Sequence, residues 1–469
     1  MKRYTTIALA AALAVGAGCR DNAVVNPLDS PSSDALGALT HATLQLLATG
    51  VLGQDRSNAT AFSYIVEPEI WARDAYRIDA SEPRFIQETL SGNPDPGSFS
   101  GSGSWNGYYT DLRAANTILL ALPNAAAGEF TPAEISATSG FFRTIKALEE
   151  WRVIEAHDTV GATIQTDDPT AITPIRCKPA VLDYIAALLD SANTDLTAAS
   201  GATFPFNLPS GFTKFGRDYS SVDNFILFNR ALKGKVDYYR ALDRVSPTPA
   251  LYATAIAELT TALGAGPGAV PVSHFSFGPY YTFISGGSEN TPNPLADSKV
   301  RLNPGVQDSI QSGDTRASKI VPATALSGFG LSSSITYSGA LATTANQNAP
   351  IAIMRDEELV LLRAQAEIES GDFGNAVLDV NDVRTNYGLA PTAFASVAAG
   401  RTAVLYEKRY SLLFEGPMRS DDLREYGILN QGAALHKAET TPDVYNQALP
   451  IPRGELNARK LTVNPACTP

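Results

Sequence analysis

One stretch near the C-terminus has the pattern of two helices that pack closely against each other. Leu359, Leu362 and Ala366 recur at i, i+3 and i+7, and a second series one position along makes the apolar stripe wide. Gly371 and Asp372 interrupt this pattern, and Asp372 is a good N-cap for a second helix. The stretch therefore predicts a helical hairpin joined by a tight Gly-Asp turn.

This hairpin has the character of a tetratricopeptide unit. Small residues, Ala364 and Ala376, lie where the two helices must cross, and a third helix follows with Tyr406, Tyr410 and Leu413 on one face. One such unit cannot bury its own apolar face, so further helices must stack on it. Helical spacing recurs at 36–52, 105–122, 132–157, 178–199, 221–242 and 252–263. We therefore expect an all-α, tetratricopeptide-like helical solenoid.

The region 264–350 departs from this pattern. Gly, Ser, Thr, Pro and Asn dominate it, and helical periodicity disappears. A loop-rich stretch of this length is uncommon in a compact domain and is usually functional where it occurs. The sequence predicts one helical domain over 36–469, with a loop-rich insertion over 264–350 and a C-terminal region over 351–469.

The N-terminus has the features of an export signal. Two basic residues precede the apolar run 7–15, and small residues lead to Cys19. The run is too short to span a bilayer. Small residues directly before a cysteine resemble the lipobox of bacterial lipoproteins, which predicts a signal peptide over 1–18, acylation of Cys19 and a polar tether over 19–35. An ordinary secretory signal cut nearby is the alternative.

Charge and cysteine usage narrow the classes of partner. The formal net charge is −12, and no Lys/Arg cluster offsets it locally. This balance argues against nucleic acid as a ligand and against adsorption to anionic membranes by charge alone.

Cys177 and Cys467 would face an oxidising compartment after export. They either pair with each other or stay free, since their separation in sequence does not decide.

The sequence contains no recognisable catalytic or metal-binding motif. The four histidines are isolated, and there is no G-x-S-x-G elbow and no phosphate-binding loop. Glycoside hydrolysis needs only two carboxylates, so Asp167 with Asp168, or Glu149 with Glu150, qualify by residue type. Solvated loop and helix faces are the simpler interpretation of both pairs. We expect no catalysis, no cofactor and no metal site.

Aromatic rings occur beside planar polar groups in two stretches, a combination that suits sugars. Flat rings cover the C–H faces of a sugar, and Asn, Arg or Asp bind its hydroxyls. The candidate ligand residues are Trp71, Arg73, Asp74, Tyr76 and Arg84 in the first stretch, Tyr280, Tyr281, Phe283, Glu289 and Asn290 in the second, and Trp105 with Asn106 at the rim. Each aromatic also has a plainer interpretation, because most such rings cover a helix surface.

A cluster of charges follows the helical hairpin. Opposite charges beside a buried hairpin predict a structural ion-pair network rather than a binding site, because a buried charge must be paired. The members are Glu407, Arg409, Glu415, Arg419 and Asp422.

Several spaced pieces of the C-terminal region occur in the order seen in a known family, and together they resemble the C-terminal half of the SusD/RagB family. The pieces are Arg355, Glu358, Leu361, Ala364 and Ala366 before the turn Gly371–Asp372, then Asn381 and Arg384, then Glu407 and Arg409, then Phe414–Gly416, then Arg419, Asp422 and Leu423, and finally Leu449–Glu455.

The resemblance implies a nutrient-binding lipoprotein, anchored by lipid at the outer membrane of a Gram-negative bacterium and facing outward. It implies that the protein captures an oligomeric nutrient, typically a glycan, and delivers it to a TonB-dependent transporter barrel of the SusC kind. It also implies that the insertion over 264–350 packs over the helices and contributes to the ligand face, and that Trp105 is a packing residue.

Two other classes stay open at this point. A tetratricopeptide-type scaffold would bind a protein or peptide partner in its concave groove. An extracellular helical glycoside hydrolase would use a carboxylate pair that folding brings together. Binding to a panel of glycans and peptides separates the three classes.

Overall fold

The computed structural model describes residues 39–164, 166–168, 171–286, 290–430 and 444–469. Its helices are α1 (His41–Ala59), α2 (Phe62–Ile65), α3 (Glu67–Trp71), α4 (Arg84–Gln87), α5 (Phe99–Ser102), α6 (Asn106–Ala121), α7 (Pro132–His157), α8 (Lys178–Ala198), α9 (Val222–Leu242), α10 (Leu251–Leu263), α11 (Pro304–Asp308), α12 (Thr344–Gln347), α13 (Asp356–Ser370), α14 (Phe373–Asn386), α15 (Val397–Ser411), α16 (Met418–Glu425) and α17 (Arg453–Ala458).

Short strands and 3-10 turns join these helices. The strands are β1 (Ala75–Arg77), β2 (Tyr280–Tyr281), β3 (Val300–Leu302), β4 (Ile320–Gly328), β5 (Leu331–Tyr337) and β6 (Ile351–Ala352). They form three antiparallel pairs, β1 with β3, β2 with β6, and β4 with β5. The 3-10 helices are Leu122–Asn124, Asp158–Val160, Ser210–Phe212, Val272–His274, Thr315–Lys319 and Ser338–Ala340.

The long helices stack mainly in chain order. Helix α7 packs against α6 and α8, α9 packs against α8 and α10, and α10 packs against α13 of the C-terminal hairpin. Helix α7 begins at Pro132 with a complete capping box, in which Thr131 and Glu134 exchange hydrogen bonds between side chain and backbone. The mostly helical, stacked architecture is the one that the sequence predicts.

The C-terminal hairpin also follows the sequence prediction. Gly371 ends α13 in the left-handed conformation, with a φ of +83° that glycine adopts without strain. The Asp372 side chain accepts a hydrogen bond of 3.3 Å from the Asn375 N–H and so caps α14. Helix α1, in contrast, extends to Ala59 rather than ending near residue 52, and Thr40 provides its N-cap.

The insertion over 264–350 is loop-rich, as the sequence predicts, but it also contains short regular elements that the sequence did not reveal. Strands β4 and β5 form a hairpin in which Gly328 pairs with Leu331. The two residues between them, Phe329 and Gly330, have φ values of +56° and +79°. Positive φ at both positions suits a two-residue hairpin turn, but Phe-Gly lacks the Asn or Asp that usually signals one.

The insertion shares its core with the N-terminal part of the body. Tyr76 of β1 and Val300 of β3 are buried in one apolar cluster, together with Tyr281 of β2 and Phe414 from the C-terminal region. The pairing of β1 with β3 holds the two segments together through backbone hydrogen bonds. Residues distant in sequence therefore meet around β2.

The two cysteines of the body pair with each other. Cys177, the N-cap of α8, forms a disulfide with Cys467 near the C-terminus. The bond closes a loop with a sequence separation of 290 residues, and adjacent backbone hydrogen bonds join Cys177 and Ile175 to Thr468. Among the described residues, no helix combines the length and the hydropathy that a membrane crossing requires.

Candidate functional site

Four candidate ligand residues from the first aromatic stretch lie inside the molecule. Trp71 and Tyr76 are 3% and 2% exposed, and Arg73 and Asp74 are 1% and 0% exposed. Arg73 donates hydrogen bonds to the backbone carbonyls of Ile70 and Trp71. These four side chains offer no surface to a ligand in this structure, because other parts of the protein cover them.

The rim candidates and Arg84 lie apart from any cavity described below. Trp105 is buried, with its ring centroid 4.8 Å from that of His157, as expected of a packing tryptophan. Asn106 is exposed at the start of α6, and Arg84 is exposed and paired with Glu82. Cys19, with the signal and tether, and Glu289 lie outside the described residues.

Two aromatic candidates of the second stretch, Tyr280 and Tyr281, do line a cavity, together with Asn290. This cleft has a volume of about 550 Å³ and lies between helix α1, the turn at 209–212 and the segment that follows β2. Phe283 does not line it and is buried in the apolar cluster. The full described lining is Thr49, Leu52, Gly53, Arg56, Pro209, Phe212, Tyr280, Tyr281, Thr282, Ile284, Asn290 and Thr291.

Tyr280 is fixed in place at the cleft wall. Its ring stacks on Phe215 with 4.3 Å between centroids, and its hydroxyl donates a hydrogen bond of 2.8 Å to the Ser276 carbonyl. Antiparallel pairing with Ala352 holds the backbone of the strand. Tyr280 also lines a second, smaller cavity of about 150 Å³, whose walls include Arg355 and Glu415. A chain-like ligand passing Tyr280 therefore has space on both sides.

Tyr281 connects the cleft to a buried polar cluster. Its hydroxyl donates a hydrogen bond of 2.9 Å to Asp55 and accepts one from Arg152. Arg152 also pairs with Asp55, and with Glu149 at 3.1 Å. Since Asp55 is one residue before Arg56 on α1, this cluster fixes the helix that forms one wall of the cleft.

Two carboxyl groups at this cluster, Asp111 and Glu149, hold protons more tightly than usual. Asp111, Asp55 and Glu149 lie with one oxygen of each within 4.8 Å of the others. Burial and the nearby Asp55 raise the pKa of Asp111 to about 9, and the same causes raise the pKa of Glu149 well above its usual value. Three carboxylates could hold a cation by residue type, but the Arg152 guanidinium already pairs with two of them.

The five charges assigned to a structural network are all paired, but each with a partner outside the set. Arg409 and Arg419 both bind Asp74, at 2.6 and 2.7 Å. Asp74 is therefore an ion-pair partner in the core rather than a ligand contact. The other pairs are Glu407 with Arg316 and Arg384, Glu415 with Arg355, and Asp422 with Lys408.

Sequence reasoning missed the part of the cleft that α1 and the turn at 209–212 provide. One signal was present, because α1 contains Gly50 and Gly53 in its interior, where glycine destabilises a helix. Gly53 lines the cleft, and a Cβ atom added there would meet no atom within 4 Å. The glycine leaves room beside Arg56.

Comparisons with known proteins agree with this architecture. Residues 280–464 match the model of the SusD family. A SusD superfamily protein from Bacteroides fragilis superimposes with a TM-score of 0.66 at 13% identity, over 92% of this chain and 100% of that chain. A comparison with curated proteins finds no match.

Two further solved structures have names that refer to glycans. A surface glycan-binding protein A from Bacteroides fluxus gives a TM-score of 0.64 at 17% identity, covering 90% of this chain and 98% of that one. A laminarin-binding SusD-like protein gives 0.60 at 17% identity with the same coverage. Residues 280–464 therefore carry the sequence pattern of the SusD family, and the described residues adopt a fold similar to that of SusD superfamily structures.

Proposed function

We propose that this protein is a surface lipoprotein that binds an oligomeric glycan in the cleft beside Tyr280 and delivers it to a TonB-dependent transporter of the SusC kind. The family and the two glycan-binding relatives support a carbohydrate ligand. The ligand, its delivery and the lipid anchor are the parts that experiment must test.

The cleft itself is the observation that carries this proposal. Its volume of about 550 Å³ falls in the range of small-molecule sites. The Tyr280 ring, already held by Phe215, supplies a flat face for sugar C–H groups, while Thr49, Asn290 and Thr291 supply hydrogen-bonding groups for hydroxyls. The second cavity beside Tyr280 suits a ligand longer than one sugar.

The chemistry of the cleft supports binding rather than hydrolysis. Glycoside hydrolases place two carboxylates across the scissile bond. The described lining of the cleft contains no Asp or Glu side chain. Glu149 and Glu150, considered from the sequence as a catalytic pair, are buried on α7 and line none of the described cavities.

Calorimetry of the mature protein with a panel of neutral and acidic oligosaccharides and of peptides tests the ligand. We expect at least one oligosaccharide to bind. Tyr280→Ala should weaken binding about tenfold or more, because it removes the stacking face, and Asn290→Ala by up to about tenfold. Asn106→Ala, an exposed asparagine away from the cleft, is the matched control. Binding of peptides alone would favour the scaffold instead.

The anchor and the transporter need separate tests. We expect Cys19→Ser to release a folded protein that still binds glycan, because acyl chains contribute about 0.8 kcal/mol per buried CH₂ to membrane attachment. Affinity purification of the wild-type protein from native membranes, in gentle detergent and with glycan present, should recover a large barrel protein. Recovery of the protein without any barrel would contradict delivery to a transporter.

A further inference from the structure

We propose that the cleft selects saccharides that carry an anionic group, and that Arg56 binds this group. The inference rests on the proposed function, because it assigns a ligand class to the same cleft. Arg56 is the only charged side chain among the twelve described residues that line the cleft, and the others are apolar, hydroxyl-bearing or amide-bearing.

The hydrogen bonds of Arg56 leave most of its guanidinium available. Its Nη1 donates to the Thr282 carbonyl at 3.1 Å, a contact that orients the side chain along the cleft wall. A guanidinium has five N–H donors in a fixed fork. In the part of the chain that the structure describes, no carboxylate lies within ion-pair distance of Arg56, so the other donors remain for a ligand.

Arg56 differs in this respect from half-buried arginines near it, although buried Arg301 of the insertion also binds only backbone carbonyls among the described residues. The other half-buried arginines near the insertion have carboxylate partners, as Arg77 has Asp297 at 2.7 Å and Arg217 has Asp356 at 2.7 Å. In a chain of net charge −12, a half-buried arginine has many acids available as partners. Its position in a cleft among neutral groups points to a counter-charge that arrives with the ligand.

Carboxylate and sulfate groups match the guanidinium fork with two parallel hydrogen bonds. Sugars carry both groups, as uronic acids and as sulfate esters. Because the described lining has no carboxylate, nothing in it repels an anionic sugar at short range. Tyr280 and Asn290 would then bind the uncharged parts of the same ligand.

Two matched ligand pairs test the selectivity in the wild-type protein, without any variant. The first is an oligogalacturonide trimer and its methyl ester, and the second is a sulfated oligosaccharide and its desulfated form. We expect one acidic member to bind about ten- to a hundredfold more tightly than its neutral counterpart, because hydrogen bonds to charged groups are stronger than neutral ones. The pair that shows the preference identifies carboxylate or sulfate as the group bound.

Three variants test whether Arg56 causes the preference for the acidic ligand. Arg56→Gln should remove the preference, so that the acidic member binds no more tightly than the neutral one, whereas Arg56→Lys should keep part of it. Arg113→Gln removes the same charge from an exposed site that does not line the cleft, and should change nothing. The melting temperature of each variant checks that the loss of the Thr282 contact has not disturbed the fold.

The possible failures are distinguishable. If neutral and acidic members bind equally, or if the preference survives in Arg56→Gln, the inference is wrong and the glycan-binding function stands. If no saccharide of any kind binds, the proposed function itself is wrong, and the inference falls with it.

Discussion

A single buried carboxylate, Asp74, joins an N-terminal segment of the SusD-like body to its C-terminal region. It accepts hydrogen bonds from Arg409, at a sequence separation of 335 residues, and it also pairs with Arg419. The sequence showed charges of both signs and so predicted pairing, but the identity of the partners depends on the fold. This is why the ligand role first assigned to Asp74 does not survive its burial.

Replacing Asp74 should therefore destabilise the protein strongly. Asp74→Asn removes the ion-pair partner of the Arg409 and Arg419 guanidinium groups inside the protein, and we expect a loss of about 3–5 kcal/mol in the free energy of unfolding. Urea denaturation measures it. The control is Glu82→Gln, which breaks an exposed pair with Arg84 and should leave the midpoint unchanged. If the midpoint of Asp74→Asn equals that of the wild type, the ion pairs of Asp74 with Arg409 and Arg419 do not stabilise the fold.

The buried carboxyl group of Glu150 should make the stability of the protein depend on pH. Neither of its carboxylate oxygens has a hydrogen-bond partner among the described residues, and burial raises its pKa from 4.5 to about 8 although Lys146 opposes the shift. Between these values the folded protein keeps a proton that the unfolded chain has lost. The contribution of Glu150 to the unfolding free energy is therefore fully present below about pH 4.5 and is lost as the pH rises towards 8.

We expect Glu150→Gln to raise the melting temperature relative to wild type at pH 8, by the equivalent of a few kcal/mol, roughly 2–4, and to change it little at pH 4. Asp308→Asn, which removes an exposed carboxylate, should show no such difference between the two pH values. A Glu150→Gln protein that is less stable than wild type at pH 8 would show that the ionised carboxylate is stabilised in the folded state.

At the scale of elements, prediction from the sequence worked where local signals were complete. The span predicted for α7, 132–157, agrees with Pro132–His157, and the cap at Asp372 lies where expected. The hairpin of β4 and β5 was missed because its turn is Phe-Gly and because Ser and Thr on both strands hide the alternation of buried and exposed side chains. Helix α1 itself was predicted, but its cleft-forming face was missed because the residues of one helix do not record which segments pack beside it.

Close packing between α7 and α8 depends on Gly140. A Cβ atom there would lie 2.8 Å from the Ala192 carbonyl oxygen and 2.5 Å from Leu196 Cγ. Gly140→Ala should therefore destabilise the protein by about 1–3 kcal/mol, although alanine favours a helix by roughly 1 kcal/mol. Gly50→Ala on α1, where a Cβ would meet no atom within 4 Å, should instead be neutral or slightly stabilising. Equal melting temperatures of the two variants would contradict this packing.

At the scale of the whole molecule, the cleft is a product of the fold. Helix α1, the turn at 209–212 and the segment after β2 each contribute to the lining, and they are far apart in sequence. The aromatic and polar pattern at 280–290 could be recognised from the sequence, because Tyr280, Tyr281 and Asn290 are neighbours along the chain. The segments that pack against 280–290 could not be recognised in the same way, because the local sequence does not indicate which helix faces β2.

Filling the cleft is the most direct test of the claim that a glycan binds there. Gly53 lines the cleft, and space around it is open, so Gly53→Trp should place an indole in the ligand volume without displacing the core. Gly50→Trp, on the same helix and equally open but outside the cleft, is the matched control. Calorimetry with the glycan that binds the wild-type protein most tightly should show at least about a tenfold loss for Gly53→Trp and none for Gly50→Trp. If folded Gly53→Trp binds that glycan with the wild-type Kd, the ligand does not occupy this cleft.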